Sequence, residues 1–234
     1  YSDSITTTLL RHDGESCDKG VALAEWSGPA RDIVAAERVA LNFLQRLSGI
    51  ATLTHRYVDA VAHTAAKVLD TRKTTPGWRD IEKYAVRVGG GTNHRRGLYD
   101  AILIKDNHIA TIAGEGEGEP IERLREPIER VRPLLGASGF VQIEVDTLDQ
   151  FRKALALPID IIMLDNMPPA MMAEAVATRN ELAPHIELEA SGGITLEPLV
   201  AAAESGVDRI SIGALTHSAP AVDIGLDSSL LQGR

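Results

Sequence analysis

The chain has 234 residues, 44% of them hydrophobic, which is enough for one large α/β domain with a substantial core, and it carries a formal net charge of -9. That charge excludes the broad basic face that nucleic acid or an acidic lipid surface requires, and no apolar run reaches the ~18 residues of a membrane span. A single cysteine, Cys17, excludes an internal disulfide and fits a reducing compartment; with no signal-peptide order in YSDSITTTLLRHDGES, the expected location is the cytoplasm. Cys17 itself is expected to be a half-buried small hydrophobe without chemistry.

The first segment, SDSITTTLL, is polar and β-branched, and it runs into HDGESCDKGVALAEWSGPAR, which reads as short strands and turns around Gly14, Gly20 and Gly28. From Asp32 to Leu47 the apolar positions Ile33, Val34, Val39, Leu41, Phe43, Leu44 and Leu47 mark an amphipathic helix, with Ser48-Gly49 as its stop. A second helix is expected from about Thr54 to Ala66. Six short apolar runs follow, at Lys67 to Asp70, Ala101 to Ile104, Val141 to Val145, Ile159 to Leu164, Ile186 to Glu189 and Arg209 to Ile212. Helix-length segments lie between most of them, at Trp78 to Val88, Ile121 to Leu135, Thr147 to Ala156, Pro169 to Ala183 and Leu196 to Ser205. Parallel neighbours need a crossover and helices must cover the sheet, so this alternation predicts an open or closed (β/α) barrel. GEGEGEP, from Gly114 to Pro120, has no large apolar residue and reads as a surface loop.

In such barrels the functional groups stand at the C-terminal ends of the strands. There the sequence places Asp70-Thr71-Arg72-Lys73-Thr74-Thr75, Lys105-Asp106-Asn107-His108, Glu144, Asp165-Asn166, Ser191-Gly192-Gly193 and Gly213-Ala214-Leu215-Thr216-His217. Asp70 to His108 holds the densest positive charge of this acidic chain, which points to a small anionic ligand. Arg72 and Arg95 can each grip a carboxylate with two parallel hydrogen bonds, whereas Lys73 and Lys105 are compact charges suited to phosphate or diphosphate. Glu144 and Asp165 can bind Mg²⁺ or sugar hydroxyls, or simply neutralise the lysines, since Mg²⁺ takes only one or two carboxylates plus ligand oxygens. The glycine turns SGG and IGA expose backbone N–H groups, and the last two strand ends commonly form a phosphate site. His94 and His217 sit in these loops, while His12, His55, His63 and His185 default to structural roles. No Cys/His spacing resembles a zinc site and no serine has a nucleophile-elbow context.

AERVALNFLQRLSGIAT, the stretch from Asp70 to His108, IEVDTLDQF, IIMLDNM, LEASGGI and ISIGALTHSAPAVDIGLD together closely resemble the quinolinate phosphoribosyltransferases, also called nicotinate-nucleotide diphosphorylases (carboxylating), over about Asp13 to Leu230. The resemblance implies an α/β fold: an N-terminal α/β sandwich domain, partly absent here, on an open (β/α) barrel of about seven parallel strands, one more than the runs counted above. Residues 1–52 would be the sandwich remnant with its linking helix, 53–217 the barrel, and 218–234 a segment returning toward the N-terminal domain. It further implies phosphoribosyl transfer from phosphoribosyl diphosphate to quinolinate with Mg²⁺, giving nicotinate mononucleotide, diphosphate and CO₂. Arg72, His94, Arg95 and Lys105 would then bind the quinolinate carboxylates, and Arg38 would reach the neighbouring subunit's site in a homodimer. Lys73 and Lys105 would face the diphosphate, Glu144 and Asp165 the ribose hydroxyls and Mg²⁺, and Ser191, Gly192, Gly193, Gly213 and His217 the phosphate. The family separates its DITT-like segment from its EGD-like stretch by several dozen residues, whereas here SDSITTTLL and HDGESCDKG adjoin. The junction near Leu10 to His12 is therefore either a real deletion or a segment dropped from the numbering. Competing readings are a same-fold relative acting on another aromatic acid or in molybdate transport, a Schiff-base lyase using Lys105 or Lys73, and a non-catalytic barrel.

Overall fold

The computed structural model of the chain describes residues 3–113, 119–137 and 139–228. Strands β1 (Thr6–Leu9) and β2 (Ala24–Ser27) pair antiparallel as a hairpin. The amides of Leu10 and Arg11 both donate to the carbonyl of Leu23, at 2.9 and 3.1 Å, so the junction near Leu10 to His12 lies where the connecting loop leaves the strands. Neither strand has a buried residue, and a two-stranded hairpin without a covered face is marginal on its own. Cys17, in that loop, is exposed rather than half-buried, because nothing there can cover it.

Helix α1 (Ala30–Ala60) is one continuous helix of 31 residues where the sequence suggested two. The supposed stop is a packing point. Gly49 is buried inside the helix, and a Cβ there would stand 2.0 Å from the carbonyl oxygen of Pro220. Gln45, one turn earlier, holds the same C-terminal segment: its carbonyl accepts from Val222 N at 3.0 Å and its Nε2 donates to Ile224 O at 2.7 Å. The N-terminal half of α1 is different, since Val34, Val39, Phe43 and Leu44 of the predicted apolar stripe are exposed.

The remaining elements are β3 (Lys67–Leu69), α2 (Arg79–Val88), β4 (Ile102–Ile104), α3 (Asp106–Ala113), α4 (Arg125–Val131), β5 (Val141–Val145), α5 (Leu148–Ala154), β6 (Ile161–Asp165), α6 (Pro169–Leu182), β7 (Glu187–Ser191), α7 (Leu196–Glu204), β8 (Arg209–Ser211) and α8 (Ala214–His217). Each of the six apolar runs contains one strand of a single parallel sheet ordered β3-β8-β7-β6-β5-β4. The long helix expected from Ile121 to Leu135 is α4 flanked by 3-10 turns at Glu122–Leu124 and Arg132–Leu134, and Pro133 explains the second, because it offers no N–H to continue an α-helix. Helix α5 opens with a reciprocal cap between Thr147 and Gln150. Residues 114–118 of the GEGEGEP stretch lie outside the described residues.

The place of a seventh strand is taken by a single parallel bridge between Leu69 and Thr92 on the free side of β3. Thr92 N donates to Val68 O at 2.8 Å and Asp70 N to Thr92 O at 3.2 Å. The pairing stops there because the next backbone groups are claimed by side chains: His94 N donates to Asp70 Oδ1 at 2.8 Å and His94 O accepts from Lys83 Nζ at 3.0 Å. β3 and β4 are thus the two ends of the sheet, and the barrel is open between them.

The two faces of the sheet differ sharply. Val141, Ile143, Val145, Ile162, Leu164, Leu188, Ala190 and Ile210 point outward into the core, against Phe151, Met172, Leu199 and other helix residues. The inward face mixes the apolar Leu69, Ile161 and Met163 with polar groups. There His94 Nε2 faces Gln142 Oε1 at 3.0 Å and Glu189 Oε1 at 3.4 Å, and Arg209 donates to Glu189 at 2.9 Å and Glu187 at 3.0 Å. Glu189 is fully buried. Burial raises its carboxyl, but His94, by hydrogen bond and charge, and then Arg209 and Ser211 outweigh that and hold it below the ordinary carboxylate range.

Two predictions follow from this packing. Alanine in a helix interior ordinarily stabilises by about 1 kcal/mol relative to glycine, yet Gly49→Ala is expected to destabilise by roughly 1–3 kcal/mol through overpacking against Pro220, read as a lowered urea midpoint. For Glu189 the folded pKa is depressed, so its stabilisation is fully present above the ~4.3 of an unfolded glutamate and is lost as pH falls through the lower folded value. Urea midpoints followed from about pH 6 down to about pH 2 should therefore fall less steeply in Glu189→Gln than in the wild type below about pH 4; parallel curves would contradict this.

Candidate active site

At the C-terminal end of β3 the buried Asp70 organises one side of the barrel mouth. Its Oδ1 accepts from Lys83 Nζ at 2.5 Å and from His94 N at 2.8 Å, and its Oδ2 accepts from Asn93 Nδ2 at 2.6 Å. Burial pushes this carboxyl up against the pull of Lys83, His94 and Asn93. The arrangement ties residues 92–95 to β3 and α2, which sets Arg95 beside Arg72. His94 completes the support. Its Nδ1 lies 2.7 Å from Arg95 N, and its Nε2 faces Gln142 and Glu189. Both ring nitrogens are engaged within the protein, and His94 is 8% exposed, so it carries Arg95 from beneath.

Arg95 Nη1 donates to Ala101 O at 2.9 Å, leaving part of its fork free. Burial, and then the charge of Arg72, pull the Arg95 guanidinium below its ordinary value. Arg72 Nε is buried without a hydrogen-bond partner. Two guanidiniums of like charge that feel each other, one with an unsatisfied buried donor, form a place that an anion completes, and a planar carboxylate matches such forks.

Along the ends of β8, β7 and β6, starting next to β3, the rim is made of small residues and turns. Lys73 Cδ and His217 Nε2 both lie 3.1 Å from where a Gly213 Cβ would stand, so these three meet at one point. Thr216 Oγ1 donates to Lys73 O at 2.8 Å and joins α8 to the loop after β3. Asp165 pairs in register with Ser191, and its Oδ2 accepts from Asn166 Nδ2 at 2.6 Å. Asn166 has a left-handed backbone, φ 52°, and a Cβ on Gly192, itself at φ +98°, would stand 2.2 Å from Asn166 Oδ1. Only glycine fits there, and the backbone of Ser191 to Gly193 stays bare for a ligand. Gly193 has open space where its Cβ would be.

Between the two sides, Lys105 at the end of β4 forms a short ion pair with Glu144 on β5. Lys105 remains half exposed, with its charge at the mouth. Glu144 and Asp165 lie on the inner faces of adjoining strands, two carboxylates without a third metal-binding partner among the described residues. That donor set fits Mg²⁺ delivered with phosphate oxygens and does not fit an all-protein cage.

Of the residues singled out in the sequence, Arg72 and Arg95 share one corner over His94, Lys73, Gly213 and His217 another, and Asp165, Ser191 and Gly192 a third, with Lys105 and Glu144 between. Arg38 is the exception. It is exposed on α1, and no hydrogen bond or ion pair joins it to the others among the described residues. Sequence reasoning missed the supporting polar groups Lys83, Gln142, Glu189 and Arg209. For the last three the signal was polar residues alternating within predicted strands, as in VQIEV and ELEAS, whereas Lys83 lies on helix α2.

Comparison with known proteins agrees with this geometry. Residues 3–48 match the family model of the quinolinate phosphoribosyl transferase N-terminal domain and residues 50–227 that of the C-terminal domain. The chain is 45% identical over 229 residues to the probable nicotinate-nucleotide pyrophosphorylase [carboxylating] of Bacillus subtilis, covering 97% of this chain and 75% of the relative. It is 46% identical over 215 residues to the Mycobacterium leprae enzyme of that name, covering 92% and 72%. Among solved structures, the nicotinate-nucleotide pyrophosphorylase of Francisella tularensis superposes with a TM-score of 0.82 at 39% identity, over 94% of this chain and 74% of that one. That of Ehrlichia chaffeensis superposes with a TM-score of 0.84 at 38% identity, over 96% and 77%. Both halves of the chain belong to the quinolinate phosphoribosyltransferase family.

Proposed function

We infer that the chain transfers the phosphoribosyl group of phosphoribosyl diphosphate to quinolinate, with decarboxylation, to give nicotinate mononucleotide, diphosphate and CO₂ in NAD biosynthesis. The observation that carries this reading is the Arg72–Arg95 pair, with its buried unpartnered Nε, beside a glycine-rich rim bearing Lys73 and His217. A ligand with carboxylates at one end and phosphates meeting it at the other answers both halves. The relatives' names carry the same chemistry.

In this reading Arg72 and Arg95 hold the quinolinate carboxylates, with His94 fixing Arg95, and Lys105 stands at the boundary of the two substrates. Breaking the bond between ribose C1 and diphosphate builds positive charge on the sugar, which Glu144 and Asp165 are placed to stabilise. Lys73 and Lys105 receive the negative charge of the departing diphosphate. Mg²⁺, held by Glu144 and Asp165 together with substrate oxygens, would supply further neutralisation of that anion. The pyridine nitrogen attacks C1; the pyridinium so formed stabilises the electron pair that the adjacent carboxylate leaves on the ring carbon as it departs as CO₂, and a proton from water takes its place there. The protein's part is positioning and charge compensation. Lys105 is ion-paired with Glu144 and half exposed, which is not the desolvated setting that Schiff-base chemistry needs.

The working unit in this reading is a homodimer. Val34, Val39, Phe43 and Leu44 form an exposed apolar face on the N-terminal half of α1, beside Arg38, and Val34 is 68% exposed. Such a face fits a second copy, with Arg38 entering that copy's site. The lone cysteine and the lack of any helix long and apolar enough to cross a membrane, among the described residues, support a cytoplasmic setting.

The test is release of CO₂ from quinolinate, dependent on phosphoribosyl diphosphate and Mg²⁺, with nicotinate as the one-carboxylate control. Turnover of nicotinate instead, or none of quinolinate by the purified chain, would overturn the reading. Arg38→Ala is expected to raise KM for quinolinate by about tenfold or more, the loss of one charge-assisted carboxylate contact, with no change in melting temperature. An unchanged KM would count against a shared site.

A further inference from the structure

Glu82 is an acidic residue in the first turn of α2, yet it is fully buried. Its Oε1 accepts from Arg46 of α1 at 3.0 Å and from Thr75 Oγ1 at 2.7 Å, and its Oε2 accepts from Thr75 N at 3.0 Å. Thr75 ends the loop that carries Arg72 and Lys73. Arg46 also donates to the carbonyls of Thr216 and, at 2.8 Å, Ala219, on either side of His217 and Ser218. Thr216 Oγ1 then donates to Lys73 O at 2.8 Å, which closes a ring of contacts from loop to α2 to α1 to α8 and back to the loop.

We propose that Glu82, with Arg46 as its partner, is a positioning residue for the phosphate end of the site: it holds the Lys73 loop against the Gly213–His217 turn, and so governs affinity for the diphosphate-bearing substrate without touching it. The proposal rests on the functional reading above. The carboxylate end has its own support, because Asp70 and Lys83 clamp His94, His94 and Ala101 hold Arg95, and Arg79 reaches Arg72 O at 3.4 Å. None of those contacts involves Glu82. Loss of Glu82 therefore acts on one half of the mouth. A buried ion pair that served stability alone would, on removal, weaken both substrates alike or neither.

The distinguishing measurement is the pair of Michaelis constants in wild type, Glu82→Gln and Thr75→Val. Glu82→Gln keeps the shape and removes the charge; Thr75→Val removes only the hydroxyl bond, at an exposed position that leaves the core intact. For Glu82→Gln, KM for phosphoribosyl diphosphate is expected to rise about tenfold, and for Thr75→Val about threefold, while KM for quinolinate stays within about twofold in both, because charge-assisted bonds are the stronger class. Equal rises in both constants, or none, from a wild type that turns over would refute the role of Glu82 and leave the functional reading standing. A wild type without turnover refutes the reading and this role together. Should Glu82→Gln not fold, the same split in Thr75→Val decides.

Discussion

The architecture depends on holding like charges side by side in the absence of ligand. Arg72 lies close enough to Arg95 to lower its pKa, and Lys73 and Lys105 stand at the ends of the two edge strands, β3 and β4. Left to themselves such groups would separate into solvent, and a flexible cluster would lose much of its affinity in being ordered. Each cation, or the segment bearing it, is instead fixed by a polar anchor. Asp70 with Lys83 fixes the Arg95 segment, Glu82 with Arg46 the Lys73 loop, and Glu144 engages Lys105 directly.

Those anchors explain why the barrel is built inside out with respect to polarity. Its hydrophobic cohesion comes from the outer face of the sheet, where Ile143, Ile162, Leu164, Leu188 and Ile210 meet the helices. The inner face keeps Leu69, Ile161 and Met163 but gives up part of that gain to hold Gln142, Glu189, Arg209 and His94. A buried ion pair contributes little net stability over an apolar replacement, and removing one partner alone is costly, about 3–5 kcal/mol. The interior pairs are therefore better understood as devices of register. They make one arrangement of the loops much lower in energy than the others, while stability is drawn from the apolar layer outside.

The parallel barrel was legible in the sequence because its outer face leaves short apolar runs at regular spacing, and all six became strands. So were the residues at the strand ends, since the turn residues that follow each run mark the C-terminal rim. What escaped has physical reasons. Gly49 resembles a helix stop, and only the approach of Pro220, distant in sequence, shows why glycine is there. The seventh strand that the family resemblance implied is reduced to one bridge at Thr92, because side chains of Asp70 and Lys83 take the place of ladder partners beyond it. Glu82 was not singled out in the sequence, yet it shares a helical face with Ala85 and Val86, both buried, and that spacing was available as a signal. Arg38 marks the boundary of what one chain can express: its motif was readable, but within this fold it meets none of the other site residues.

The most direct measurement is a crystal structure of the chain grown with quinolinate. The account predicts the dicarboxylate against Arg72 and Arg95, with the buried Arg72 Nε gaining a carboxylate oxygen at about 2.7–3.2 Å and His94 still bonded to Arg95 N beneath it. Quinolinate bound elsewhere, or bound with Arg72 Nε still lacking a partner, would contradict it.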